Sequence, residues 1–141
     1  MINFQQNEKD IKAKTLIESG LSRSYWNMRE AIDLFQGVLD DYPDSQYVPY
    51  AHLFIGYAYW EETLPCTEKA IFHLNEAHLY FGENLPDDDK FLSSSYLGFS
   101  HLLEGDYRLA FESLKSAIKL KPDDGKVLYG LHEVKHKLGI S

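Results

Sequence analysis

The 141-residue chain has little of what would tie it to a membrane, to nucleic acid or to a disulfide framework. It has one cysteine, Cys66, so it can form no intramolecular disulfide, and a reducing compartment is the expected one. No apolar run approaches the roughly 18 residues that a membrane-spanning helix needs. With 14 Lys and Arg against 22 Asp and Glu, and no basic cluster, the chain lacks the positive patch that binding to nucleic-acid phosphates requires.

Proline and glycine are not abundant, at five and nine residues, which excludes a low-complexity or collagen-like chain. Hydrophobic residues make up 44% and charged residues 26%, a balance typical of folded domains. The stretch Met-Ile-Asn-Phe-Gln-Gln-Asn-Glu at the start has no basic residue and no apolar core, so we expect no signal peptide and a cytoplasmic location. Aromatic residues reach 14%, and this excess must lie in the core or on a binding surface.

What the chain has instead is a motif that occurs three times, at residues 31–38, 70–77 and 110–117. Each copy has a small residue, a large apolar residue four positions later and a small or medium residue three positions after that, as in Ala31, Phe35 and Val38. This spacing puts the three side chains on one face of an α-helix. The copies begin at intervals of 39 and 40 residues, and repetition at such a period is typical of arrays of paired helices.

The breaks between apolar stretches divide the chain into seven predicted helices and no strand. Pro43, Pro86 and Pro122 mark three of these breaks. Asn27 lies three residues before Glu30, a capping-box arrangement, and Asp106 is a favourable N-cap. The acidic residues 87–89 are favourable at the N-terminus of the fifth helix. The predicted helices cover about residues 7–23, 27–40, 46–62, 66–81, 91–103, 107–120 and 125–138, with a turn at 63–66.

The third unit carries the most specific pattern. It contains Leu97-Gly98 in one helix, the turn Gly105-Asp106-Tyr107, then Ala110, Leu114 and Ala117 in the next helix, and a closing Pro122. This order of residues closely resembles a tetratricopeptide repeat. The second unit keeps Gly56 but has Gly82 in place of the closing proline, and the first keeps Ser19 or Gly20 as its small first-helix residue. The usual period of that family is about 34 residues, so the longer period here indicates longer helices or turns.

The resemblance implies an all-α fold, an α-α superhelix of three helical hairpins followed by a C-terminal capping helix. It also implies a single domain over residues 1–141, with repeats at about 8–43, 46–82 and 88–122 and the capping helix at 124–138. Gly56 and Gly98 should let the paired helices approach closely, with the alanines of the motif keeping the facing helix thin. A chain of this kind is expected to bind another protein and not to be an enzyme.

In such arrays the first helices of successive hairpins line a concave groove. The inward stripe of the first hairpin, read by helical spacing, is Lys14, Ile17, Leu21 and Ser24. The candidate partner-binding residues are Tyr50, Leu53, Tyr57 and Trp60 in the second hairpin and Leu92, Ser95, Phe99 and Leu102 in the third. The neighbouring stripe of His52, Ile55 and Tyr59 should pack on its own partner helix. Three aromatic residues on one helix face predict a groove for an extended or helical segment of another protein, with an acidic rim that selects a basic partner.

The aromatic residues are also compatible with roles that need no foreign protein. They could thicken the core between long helices, residues 1–6 could fold over them, or a second copy of the chain could cover them in a homodimer. Some members of the family hold the C-terminal carboxylate of heat-shock chaperones with Lys, Asn and Arg on the first helices. Here the stripes offer only Lys14, so this ligand is not expected. The roles compatible with the groove are an adaptor, a chaperone-like protein for a segment of its partner, and an inhibitor.

One motif points to a different class of function. His132-Glu133-Val134-Lys135-His136 matches the pattern in which two histidines hold zinc and the glutamate acts as general base, so the alternative function is a zinc-dependent hydrolase. The motif lies in the predicted capping helix, which has no cleft to exclude water. We therefore expect surface histidines here and no cofactor. His73 and His78 are five residues apart, so they should not share a helix face or form a ligand pair.

Overall fold

The computed structural model describes residues 4–62 and 65–140, with side chains described from residue 8 onward, and its secondary structure within these residues is helical. All seven predicted helices are present, and no strand occurs in the ranges described. A 3-10 turn, Gly82–Asn84, follows the fourth helix. The helices are α1 (Phe4–Arg23), α2 (Met28–Asp41), α3 (Val48–Glu61), α4 (Thr67–Phe81), α5 (Asp87–Glu104), α6 (Tyr107–Leu120) and α7 (Gly125–Leu138).

The helix N-termini follow the sequence signals, with two differences. The Asn27 side chain accepts a hydrogen bond from the Glu30 amide at 3.1 Å, as predicted. The Glu30 carboxylate, however, pairs with the Arg23 guanidinium at 3.6 Å instead of completing the capping box. Asp106 stands at the N-cap of α6 but makes no side-chain cap bond. Asp124 does cap α7, accepting from the Val127 amide at 3.0 Å. Positions 63–64 of the predicted turn lie outside the described residues.

Each hairpin closes through a glycine of its first helix and the large residue of the motif in its second. A β-carbon placed on Gly98 would lie 2.5 Å from Leu114 Cγ, and one on Gly56 would lie 2.6 Å from Leu74 Cγ. The equivalent contact in the first hairpin joins Gly20, not Ser19, to Phe35. Because no side-chain carbon fits in these places, the glycines set the distance between the paired helices, as the sequence predicts.

The core consists of three adjoining clusters, arranged in series along the chain. The first joins α1 and α2 to one face of α3, and the second joins α3 and α4 to Leu85 and Leu97. In the third, Val127, Leu131 and Val134 of α7 pack against α6. The last helix therefore covers the apolar face of the third hairpin, which is the arrangement expected of a capping helix. α1 has 20 residues and α5 has 18, so long helices contribute to the long repeat period.

Candidate binding groove

A row of aromatic rings crosses from α3 to α5 on the face where these helices lie side by side. Ring centroids of Tyr57 and Tyr96 are 5.5 Å apart, those of Tyr96 and Trp60 are 5.8 Å apart, and those of Trp60 and Phe99 are 5.9 Å apart. Phe54 extends the row along α3, at 6.2 Å from Tyr57. These separations fall in the range in which aromatic rings attract one another. We call these five residues the aromatic row.

The eight predicted groove residues are not equivalent in the structure. Tyr57, Trp60 and Phe99 belong to the aromatic row, and Leu92 and Leu102 on α5 are half-buried. Tyr50 is exposed at one edge, where its ring lies 5.0 Å from that of Phe81. Leu53 and Ser95 are instead only 1% and 3% exposed, so they offer no surface to a partner. Leu53 packs in the second core cluster, and the Ser95 hydroxyl donates to the Phe91 carbonyl at 2.7 Å.

Phe54 and Tyr96 are the residues of the row that the predicted stripes missed. Phe54 lies four residues after Tyr50 and three before Tyr57, so it fits the same helical spacing as Leu53. Helical periodicity alone could not choose between two adjacent positions. The choice depends on how far the neighbouring hairpin covers the helix, which is a tertiary property.

Two pockets flank the aromatic row, one with apolar walls and one with mixed walls. One has a volume of about 480 Å³ and lies between the end of α3, α5 and the start of α7; we call it the cap pocket. Its walls are Trp60, Phe99, Leu102, Leu103, Gly125, Lys126 and Tyr129. The other, the hairpin pocket, has a volume of about 100 Å³ and lies between the first hairpin and α3. Its walls are Leu21, Ser24, Met28, Phe35, Phe54, Tyr57, Ala58 and Glu61. A surface that offers an apolar recess beside partly exposed rings is typical of sites for protein segments.

The predicted stripe of the first hairpin is only partly on this surface. Leu21 and Ser24 line the hairpin pocket, whereas Ile17 is buried in the first core cluster. Lys14 is exposed, and its Nζ lies 3.9 Å from Glu18 Oε1 on the same helix. The start of α1 contributes no described side chain to the row, since residues 1–3 and the side chains of residues 4–7 lie outside the described part of the chain.

Two tyrosine hydroxyls tie the row to carboxylates. Tyr96 donates to Glu61 Oε1 at 2.8 Å, and Tyr57 donates to Asp89 Oδ1 at 3.1 Å. Burial is the main cause that raises the pKa of Tyr96, and the hydrogen bond to Glu61 and the negative charge of Glu61 raise it further. Burial and the Asp89 charge raise the pKa of Tyr57 in the same way. Both hydroxyls therefore stay protonated at neutral pH and hold the two carboxylates at the edge of the row.

The other side of α3 packs against α4 through histidines. His52 Nδ1 lies 3.0 Å from His73 Nδ1, and the Tyr59 ring stacks on His73 with centroids 6.1 Å apart. This confirms the predicted packing of His52 and Tyr59, whereas Ile55 packs against the first hairpin. His78 points elsewhere, its Nε2 lying 2.8 Å from the Ser93 hydroxyl on α5. His73 and His78 thus do not share a face, as predicted.

Solved structures with the same arrangement of helices cover nearly the whole chain. The first TPR domain of Spaghetti (RPAP3), solved with the HSP90 peptide SRMEEVD, matches with a TM-score of 0.71 and 20% identity over 92% of this chain and 95% of that one. This chain has the tetratricopeptide-repeat (TPR) fold. The Sgt2 TPR domain from Aspergillus fumigatus matches with a TM-score of 0.64 and 21% identity, covering 90% of this chain and 79% of that one. No protein-family model and no curated protein matches the sequence.

Within this TPR fold the His-Glu-x-x-His stretch lies on α7. His132, Glu133 and His136 are exposed, while Val134 between them is buried against α6. Across residues 4–62 and 65–140, no three His, Cys, Asp or Glu side chains are grouped so that they could hold a metal ion. None of the helices described for those residues has the length and apolar character of a membrane span.

Proposed function

We propose that this TPR-fold chain is a binding module that holds a segment of another protein on the aromatic row and in the two pockets beside it, and that it is not an enzyme. The observation that carries the proposal is the cap pocket, a shallow, wide-mouthed apolar depression beside partly exposed rings of the row. Large aromatic side chains in such a position are the usual anchors of protein interfaces. Burial of apolar surface from the partner there would supply the main favourable free energy.

The charge of the surface favours a partner segment that is both apolar and basic. The chain has a formal net charge of −8, and the carboxylates of Glu61 and Asp89 stand at the edge of the aromatic row. The Spaghetti domain was solved with the peptide SRMEEVD, whose last four residues include three acidic ones. Beside Glu61 and Asp89 such a peptide would meet like charge, which costs free energy and slows association, and Lys126 is the one basic residue among the described residues that line the two pockets. We therefore propose a different ligand chemistry for this chain, in an adaptor, chaperone-like or inhibitory role.

A matched pair of substitutions tests the location of the site. Leu103 lines the cap pocket and is 65% exposed, whereas Leu109 on α6 lies outside both pockets and is 54% exposed. Leu103→Glu places a charge in the apolar recess and should weaken binding about tenfold or more, because the carboxylate would lose its water when a partner binds. Leu109→Glu should change the affinity by less than about twofold.

Binding is measured with peptides selected from a random 16-residue library displayed on phage, then synthesised with a fluorescein label and titrated by fluorescence anisotropy. Equal losses in both variants, or none in Leu103→Glu, would contradict the proposal. Light scattering on the unliganded protein tests whether a second copy of the chain occupies the surface instead of a foreign segment. A wild-type dimer that Leu103→Glu dissociates would assign the surface to self-association instead.

A further inference from the structure

We propose that Glu61, Trp60 and Tyr96 form a site for one Lys or Arg side chain of the bound segment, placed between two apolar anchors that fill the cap pocket and the hairpin pocket. This inference rests on the proposed function and adds the chemistry by which the surface would recognise its partner. It predicts a segment pattern: a large apolar residue, a basic residue, and a second large apolar residue.

Glu61 has a charge that the protein itself does little to compensate. It is the last residue of α3, where the partial negative charge of the helix C-terminus disfavours a carboxylate. It is exposed, and none of the ion pairs found across residues 4–62 and 65–140 involves it. Tyr96 holds one of its oxygens, Oε1, in a fixed position. A carboxylate can accept further hydrogen bonds, so a Lys or Arg of a partner could pair with it without displacing the tyrosine.

The neighbouring rings favour the same ligand. Trp60 precedes Glu61 in the chain, and its ring lies 5.8 Å from that of Tyr96, the residue that holds the Glu61 carboxylate. A cation over the face of a tryptophan or tyrosine is attracted by the ring, and guanidinium and ammonium stems also pack well on aromatic surfaces. The chain uses this combination internally. Lys121 Nζ lies 4.5 Å from the centre of the Phe91 ring and 3.9 Å from Asp88 Oδ1.

The position of Glu61 in the wall of the hairpin pocket, next to Trp60 of the cap pocket, sets the order of residues in the partner. Glu61 and Tyr57 line the hairpin pocket, and Trp60 lines the cap pocket. Tyr57 and Trp60 are three residues apart on α3, so the two pockets are separated by about one turn of that helix. A helical partner segment would reach both with apolar residues about three to four positions apart, which is one helical turn, and the basic residue would lie between them in the sequence.

A double-substitution experiment tests this site with the fluorescein-labelled peptides selected on the wild-type protein. Glu61→Gln removes the charge but keeps an oxygen that can accept from Tyr96, so the row should keep its structure. It should weaken binding of a selected peptide roughly tenfold, the usual size of a charge-assisted hydrogen bond. The same peptide with its central Lys or Arg replaced by Gln should bind wild type and Glu61→Gln equally. Glu112→Gln, an exposed position on α6, is the control and should leave affinity unchanged.

The charge-reversal variant Glu61→Lys provides a second, independent measurement. It should prefer the peptide whose central basic residue is replaced by Glu over the selected peptide itself. Peptides that lose binding to Leu103→Glu but are indifferent to Glu61→Gln and to their own central charge would overturn the cation site and leave the proposed function standing. If no selected peptide is sensitive to Leu103→Glu, the proposed function itself is wrong.

Discussion

Burial controls the protonation of the histidines that lie between the helices. His52 and His73 contact each other between α3 and α4, and His78 contacts Ser93 between α4 and α5. Burial is the main cause that lowers the pKa of His73 to about 4, and the positive charges of His52 and Lys69 contribute to the same shift. Burial also lowers the pKa of His52, against the opposing charge of Glu76, and of His78. Because only one ring of the His52–His73 pair can donate in their shared hydrogen bond, the pair needs at least one neutral imidazole.

At the residue scale we therefore predict that acid destabilises the fold through His73. The folded-state pKa is below the unfolded value of 6.5, so the unfolded chain binds more protons, and stability falls as the pH drops from about 6.5 towards 4. Between pH 7 and 5 the loss from this group should be roughly 1 kcal/mol, because its partial exposure reduces the effect. His73→Gln should lessen the fall in melting temperature over this range, as measured by circular dichroism. Tyr59→Phe changes the ring that stacks on His73 but removes no imidazole, so its melting temperature should depend on pH as that of the wild type does.

At the scale of the elements, the glycines of the first helices decide how closely each hairpin closes. Gly98 illustrates the constraint, because a β-carbon there would also lie 3.2 Å from the Leu114 backbone nitrogen. The Leu114 side chain could rotate, but its backbone can move only if α6 moves away from α5. The small residues of the repeated motif have the same consequence, since Ala110 and Ala117 are fully buried on either side of Leu114. Their role is to form the scaffold that carries the aromatic row.

We predict that Gly98→Ala lowers the free energy of unfolding by about 1–3 kcal/mol, the usual cost of overpacking. Gly125→Ala is the matched control, since no atom lies within 4 Å of the added carbon. It should leave stability unchanged or raise it by about 0.5 kcal/mol, because alanine favours helix. Urea unfolding measures both. Combining Gly98→Ala with Leu114→Ala should cost less than the sum of the two single changes, since removing Leu114 opens the space that the methyl group needs.

At the scale of the whole molecule, each hairpin is stabilised by packing against the next one in the core clusters that follow one another along the chain. Ile55 of α3 packs with the first hairpin, and Leu97 of α5 packs with the second. α7 continues the series by burying Val134 against α6. In an array of this kind each unit is stabilised by its neighbours, so damage at one end should spread with declining effect. The proposed binding surface crosses these boundaries, because the cap pocket contains residues of α3, α5 and α7.

We predict that Val134→Asp opens the C-terminal end before the rest of the molecule. A buried, unpaired carboxylate in place of a fully buried valine should cost about 3 kcal/mol or more. Amide hydrogen exchange should then show the largest loss of protection in α6 and α7 and the smallest in α1 and α2. Leu128→Asp, on the same helix but 46% exposed, should leave the exchange pattern close to wild type. Uniform loss of protection in Val134→Asp would mean that the array unfolds as one unit.

The sequence by itself determined the seven helices and the helix face that carries each copy of the motif, because helical periodicity, capping residues and breaks are local properties. The pairing of the helices followed from the resemblance to the tetratricopeptide repeat. Phe35, Leu74 and Leu114 stand where the repeat placed them. Only the tertiary structure decided that Leu53 and Ser95 are buried while Phe54 and Tyr96 join the aromatic row. The periodicity of a helix defines which residues share a face, but the rotation and reach of the next hairpin decide how much of that face is covered. The contacts of His52 with His73 and of Glu61 with Tyr96 join helices across 21 and 35 residues of chain, and no local pattern specifies such distances.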